Sequence, residues 1–188
     1  DYAMGKVIAG TTMSLDGFMS DRHGDIAALY ADFQELLAAP SFEETIRQTG
    51  AVVMGRRTFA MGDPDSYAEN YEFQVPIFVV THSIPDRHPP ESDTLKFTFV
   101  TDGIESAISQ AKEAAGGRDV QIVGGASTIK HALNAGLCDE LYIDIIPVLL
   151  GDGLRLFEGI DIDRVRLERL KVEEVTSTRT SIAFRVVE

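Results

Sequence analysis

Short apolar runs bounded by turn residues recur along this chain. Val7-Ile8-Ala9-Gly10, Ala51-Val52-Val53-Met54 and Ile77-Phe78-Val79-Val80 are three of them. Phe97-Thr98-Phe99-Val100 alternates, and segments 120–123 and 141–148 complete the set. Apolar runs of this length, without polar alternation, read as strands buried on both faces. Helical patterns lie between them. Leu29, Tyr30, Phe33, Leu36 and Leu37 recur at helical spacing. Ser41 with Glu44 three residues on reads as a capping box opening a helix that ends near Gly50. Residues 55–60 turn into another helix. Asp102 and Glu105 form a second capping pair, and Gly116-Gly117 stops that helix. A further helix runs over 127–135, with Gly136 just past its end. Segments 165–175 and 178–187 read as a terminal hairpin turning near Thr176-Ser177. Strands alternating with helices predict an α/β fold in three layers, its sheet mixed and mostly parallel.

Domain organisation follows. The chain has 188 residues, no repeat and no long linker. The Pro-rich stretch 84–90 is too short to separate domains. One domain over 4–188 is expected, and Asp1-Tyr2-Ala3 before Met4 reads as an expression remnant.

Charge narrows the function. Seventeen Lys and Arg stand against thirty Asp and Glu, a formal net charge of −13. Nucleic acid is an unsuitable partner, because phosphate backbones demand a surplus of cations. The single cysteine, Cys138, excludes a disulfide scaffold and CxxC metal or redox sites. The most apolar stretch, 141–150, is broken by Asp144 and Pro147, so no membrane span is expected. With no basic, apolar leader at the start, the protein reads as cytoplasmic.

In an open α/β sheet, ligands lie off the carboxyl ends of the strands. After the second apolar run come Gly55, Arg56, Arg57 and Thr58: a glycine turn, two guanidiniums and a hydroxyl at a helix start. Free backbone N–H groups and the positive dipole end suit a phosphate there. The alternative is a solvated arginine pair with Thr58 as a cap. After the third run come Thr81, His82 and Ser83, which could donate to a phosphate or ribose, or form a plain turn before Pro85. Val123 leads into Gly124, Gly125, Ala126, Ser127 and Thr128, where the glycines let a backbone approach a ligand or simply make a tight turn. This is neither GxGxxG nor a P-loop. Together the three ends fit a dinucleotide with two phosphate regions. The 2′-phosphate of NADPH would give the arginine pair a task. The first run leads to Ser14 and Asp16, whose spacing alone indicates an Asp-Gly turn.

Several blocks carry a family resemblance. They are Ser14-Leu15-Asp16-Gly17-Phe18, Val53-Met54-Gly55-Arg56-Arg57-Thr58-Phe59, Val80-Thr81-His82, Ile122-Val123-Gly124-Gly125-Ala126, and 135–141 running into 147–153. In this order, over roughly 6–157, they resemble the dihydrofolate-reductase-like fold. They are most similar to the C-terminal reductase domain of the riboflavin-biosynthesis deaminase-reductase. The resemblance implies a single-domain, NADPH-dependent reductase, often a homodimer. It implies that Gly55, Arg56, Arg57 and Thr58 hold cofactor phosphates and that Thr81, His82 and Ser83 lie beside the adenosine end. It implies that Gly124-Gly125 matches a cis Gly-Gly pair. Ala126, Ser127 and Thr128 would then meet the pyrophosphate or nicotinamide side. Ser14 and Asp16 match the substrate-side loop.

There are departures from the pattern. No deaminase zinc motif is present. The acid with which dihydrofolate reductases grip a pterin falls at Leu29, with Asp25 and Asp32 out of register. Asp144 falls near a pocket-facing position and reads either as a pocket carboxylate or as the polar face of a strand.

The expected chemistry is hydride transfer from NADPH to a C=N or C=O carbon of a small heterocycle, pyrimidine-like or pterin-like. The proton would come from Asp16, Asp144 or a water held by Ser14. His23, His88 and His131 lie in loops or on a helix face, and His82 suits a cofactor contact better than acid catalysis. Two alternatives stand beside this expectation. One is reduction of 5-amino-6-(5-phosphoribosylamino)uracil, whose phosphate needs a second basic site. The other is a dinucleotide-binding protein without turnover. Leu149, Leu150, Leu154, Leu156 and Phe157 form either a patch awaiting a partner copy or core.

Overall fold

A computed structural model describes residues 5–187; the proposed remnant at 1–3 and Met4 lie outside the described residues. Eight strands build the main sheet: β1 (Val7–Ser14), β3 (Thr49–Gly55), β4 (Ile77–Val80), β5 (Phe97–Val100), β6 (Asp119–Ile122), β7 (Glu140–Ile146), β9 (Arg166–Glu174) and β10 (Thr180–Val187). Their order is β5-β4-β3-β6-β1-β7-β10-β9. Neighbours from β5 to β7 are parallel, and the terminal hairpin adds β10 and β9 antiparallel. This is the expected mixed, mostly parallel sheet. Two short strands form a second sheet that the residue pattern did not reveal: β2 (Phe18–Ser20) with β8 (Leu154–Arg155). Its entry depends on Gly153 at φ 141°, where a Cβ would stand 1.9 Å from the Ser20 carbonyl oxygen.

The helices are α1 (Phe33–Leu37), α2 (Pro40–Gln48), α3 (Arg56–Met61), α4 (Tyr67–Asn70), α5 (Ile104–Ala115) and α6 (Ala126–Asn134). Alternate strand residues face opposite layers. Val7, Ala9, Ala51, Val53, Val120, Ile122, Leu141 and Ile143 pack with Ala107, Ile108 and Ala111 of α5 and with Ile129, Ala132 and Leu133 of α6. On the other face, Val52, Met54, Ile77 and Val79 pack with Phe59 of α3, Tyr67 of α4, and Phe73.

Three helix starts differ from the expectation. Pro40 takes the first position of α2 after an extended Ala39, so Ser41 is inside the helix and caps nothing. Proline suits that position, since it has no N–H to satisfy. Glu44 bonds Arg47 and Gln48 instead. Gly103, at φ 103°, occupies the cap of α5 and displaces the expected Asp102. The helical spacing over 29–37 splits into a 3-10 turn (Ala27–Leu29) and α1, because Asp32 between them turns its carboxylate to a distant arginine. The apolar strand 141–148 ends at Ile146, ahead of Pro147. No helix among the described residues is long and apolar enough to cross a membrane.

Candidate active site

Because β4, β3 and β6 are adjacent and parallel, their carboxyl ends meet along one edge. The three expected segments therefore come together. The Gly55 N–H donates to the Gly124 carbonyl at 2.8 Å. The Gly124–Gly125 peptide is cis, and Gly124 has φ 137°. A Cβ on Gly55 would stand 2.6 Å from Thr128 Oγ1, and one on Gly124 would stand 3.2 Å from Thr58 Oγ1. A side chain on either glycine would crowd one of these two hydroxyls. From α3, Arg56 Nη1 donates to Ser83 Oγ at 3.1 Å, linking the ends of β3 and β4. Thr81 Oγ1 donates to the Ser83 carbonyl at 2.8 Å and fixes that turn. Arg56, Arg57, His82, Ser83 and Ser127 are solvent-exposed. Guanidiniums, hydroxyls and close-packed glycines thus form one open cradle, suited to phosphate groups.

Beside the cradle is a cavity of about 210 Å³, on the face of β1, β6 and β7 that α5 and α6 leave free. It reaches Val123, the residue before the glycine pair. A recess of about 230 Å³ near Cys138, Asp163 and Arg164 is slightly larger but lies past the far end of α6. The convergent polar groups are in the first cavity, which is the better candidate.

Arg179 anchors that cavity. It is 1% exposed and uses all five of its N–H donors. Nε reaches Asp32 Oδ2 at 3.0 Å, and Nη2 reaches Asp32 Oδ1 and the Leu29 carbonyl, both at 3.0 Å. Nη1 reaches Thr12 Oγ1 at 2.6 Å and Asp144 Oδ2 at 2.9 Å. Thr176 donates its hydroxyl to Asp32 at 2.6 Å. Burial pushes the Asp32 carboxyl up, but the bonds from Arg179 and Thr176 outweigh burial and hold it below the usual range. Asp144 is therefore a cavity-lining carboxylate rather than a plain polar strand face. One of its oxygens is committed to Arg179, and the other accepts from no side chain among the described residues.

The expected catalytic trio needs correction. Ser14 is fully buried; its hydroxyl donates to Asp16 Oδ1 at 2.5 Å and accepts from the Phe18 N–H at 3.0 Å. Asp16 also accepts from the amides of Leu150 (3.1 Å) and Gly151 (2.8 Å). The Ser14 hydroxyl and then the Gly151 amide pull its carboxyl down to about 2. At neutral pH it holds no proton to give. Neither residue lines the cavity; together they clasp the β1–β2 turn to the 150–151 loop. Asp144, ion-paired to Arg179, is better suited to accept a bond than to donate a proton.

Residue patterns missed Arg179 and Asp32 in its actual role. Arg179 sits in a Thr/Ser-rich hairpin turn, and nothing local indicates a partner 147 residues away.

Comparisons with known proteins agree with this architecture. The family model described as the RibD C-terminal domain matches residues 5–181. The uncharacterized protein YyaP of Bacillus subtilis (strain 168) is 26% identical over 185 residues, covering 95% of this chain and 94% of its own. A putative riboflavin biosynthesis protein from Shewanella sp. PV-4 superposes with a TM-score of 0.73 at 23% identity, covering 97% and 99% of the two chains. Dihydrofolate reductase from Enterococcus faecalis, solved with NADP(H) and RAB-propyl, superposes with a TM-score of 0.64 at 19% identity over the full length of both. The fold is dihydrofolate-reductase-like, and the chain belongs to the RibD C-terminal domain family.

Proposed function

We propose that this protein is an NADPH-dependent reductase acting on a small, unphosphorylated heterocycle held in the cavity beside Val123. The observation that carries this reading is the glycine cradle at the ends of β3 and β6, which opens directly beside that cavity. Family membership and the NADP(H) bound by a protein of the same fold support it. When bound, NADPH supplies the hydride.

The chain's own residues do the rest. Arg56, fixed by Ser83, with Arg57 beside it, would take the 2′-phosphate. Thr58, Thr128 and the bare backbone of Gly55, Gly124 and Gly125 would hold the pyrophosphate. His82 would lie against the adenosine end. Within the cavity, the free oxygen of Asp144 accepts an N–H from a heterocycle, while Tyr30, Phe33 and Phe42 exclude water from its faces. Holding the two reactants at fixed geometry is the main protein contribution to such a step.

The phosphoribosylated substrate of riboflavin synthesis is disfavoured by one specific feature. The only cation lining the cavity, among the described residues, is Arg179, and every one of its donors is occupied. A phosphate would meet Glu72, Asp144 and Glu173 instead. The exposed Leu149, Leu154 and Phe157 support a homodimer as part of this reading, although Leu156 is core. Light-scattering mass measurement checks that part.

Turnover tests the whole. NADPH oxidation is followed by absorbance against pyrimidines, pterins and quinones, each with and without a ribosyl phosphate where that form exists. Consumption of an unphosphorylated member is expected. Turnover restricted to the phosphorylated form would overturn the substrate class. Tight NADPH binding without any turnover would instead favour a silent dinucleotide-binding protein.

A further inference from the structure

The proposed reduction needs a proton as well as a hydride, and the acids expected to give it are otherwise engaged. Asp16 is bound to amides outside the cavity, and Asp32 and Asp144 are paired with Arg179. Glu173 is paired with Lys171 at 3.1 Å. Among the described residues lining the cavity, one carboxyl has no cation and no side-chain donor. It is Glu72, in the segment between α4 and β4.

We infer that Glu72 is the general acid of this site, an inference that rests on the reductase reading above. Its surroundings favour a neutral carboxyl. Tyr30, ahead of α1, Tyr67 of α4 and Tyr71 are the titratable groups that face it, and all three are neutral phenols near neutral pH. Asp144, Glu173 and Arg179 share the cavity with it, and Arg179 is already neutralised. Every fully buried side-chain N or O among the described residues has a partner, so the unbonded Glu72 carboxyl is not sealed in packed core, and Glu72 lines the cavity. Burial pushes its carboxyl up from the ordinary value, with only its own backbone amide acting against that. A carboxylic acid withdrawn from water, with no cation paired to it, keeps its proton closer to neutrality.

Held in the cradle, NADPH would supply a hydride to the carbon of a C=N or C=O group. The π-electron pair would move onto the nitrogen or oxygen, which would take the Glu72 proton. NADP+ and a Glu72 carboxylate would remain, and water at the cavity opening would return the proton.

Two measurements test this. The first needs no substrate. Carbon-13 NMR of the glutamate carboxyls, with Glu72→Gln assigning the resonance, should show Glu72 titrating above the ordinary glutamate value of about 4.3. Titration at or below that value overturns the inference. The second uses whichever unphosphorylated acceptor the parent reduces. Glu72→Gln should lower kcat by roughly 10²–10⁴-fold, the usual contribution of a positioned acid, and leave NADPH affinity unchanged. It should also abolish the fall in rate on the alkaline side, and Glu72→Asp should restore part of that limb. An unchanged rate and pH profile in Glu72→Gln overturns the acid role while leaving the reductase reading intact. A parent that reduces nothing overturns both, even where the NMR titration shows a raised carboxyl.

Discussion

Arg179 and Asp32, 147 residues apart, form a two-pronged ion pair at 3.0 Å through Nε and Nη2, closing the terminal hairpin onto the segment ahead of α1. The pair is almost wholly buried, and Asp144 shares the guanidinium. Removing the cation strands the Asp32 carboxylate away from water and leaves Asp144 unpaired in the cavity wall. Arg179→Met should therefore cost about 3–5 kcal/mol in urea unfolding. Arg179→Lys should recover little, because a point charge cannot reproduce five fixed donors. Adding Asp32→Asn to Arg179→Met should return part of the loss. A loss below about 1 kcal/mol, typical of exposed pairs, would show the network to be loosely solvated.

Acid should loosen the fold in a definable window. The folded Asp16 carboxyl sits at about 2, below its ordinary 3.8. A carboxyl lowered on folding stabilises the native state above its unfolded value, and that stability fades as pH falls toward the folded value. Asp32 is shifted in the same direction. Parent stability should fall between pH 3.8 and about 2, and Asp16→Asn should flatten that fall. Equal pH slopes for the two proteins would remove Asp16 from the account.

Gly55 tests the cradle separately from the fold. Its backbone angle is ordinary, so alanine there meets only the Thr128 hydroxyl, 2.6 Å from the added carbon. Gly55→Ala should lower NADPH affinity by tenfold or more, roughly 1.4 kcal/mol, with a near-parental Tm. Adding Thr128→Ala should relieve the clash and recover part of the affinity. Full affinity in the single variant would mean that the cofactor does not approach this backbone.

Cys138 reports on the integrity of the far side of the sheet. Burial, followed by the nearby Asp139 charge, pushes its thiol up to about 12. Thiolate is the reactive form. Native protein should resist iodoacetamide at mildly alkaline pH, and urea-unfolded protein should react readily. Rapid native labelling would show that the region around Cys138 opens.

How much of this was legible in the residues differs by element. Apolar runs located five main-sheet strands, because a parallel strand buried on both faces has no polar alternation to hide it, and the alternation of 97–100 located the edge strand β5. Strand ends located the cradle, because parallel neighbours must bring their carboxyl ends to one edge. Capping was less legible. Pro40 and Gly103 outcompeted Ser41 and Asp102 for the helix starts, and local pattern does not rank such competitors. The cavity was the least legible part. Asp16 looked catalytic, but its two oxygens are used by Ser14 and by amides some 135 residues on. Arg179 fell inside the expected terminal strand 178–187, but its partners come from three distant segments. Polar networks assembled across a fold leave no period in the sequence.

Calorimetric titration with NADPH and NADH tests most directly the proposed fit of the cradle to a 2′-phosphorylated nicotinamide dinucleotide. The account predicts that the parent binds NADPH more tightly than NADH. It predicts that Arg56→Ala weakens NADPH by about 1.5–3 kcal/mol, the usual worth of a bond to a charged group, while NADH changes little. NADH binding as tightly as NADPH, or indifference of NADPH affinity to Arg56→Ala and Arg57→Ala alike, would contradict it.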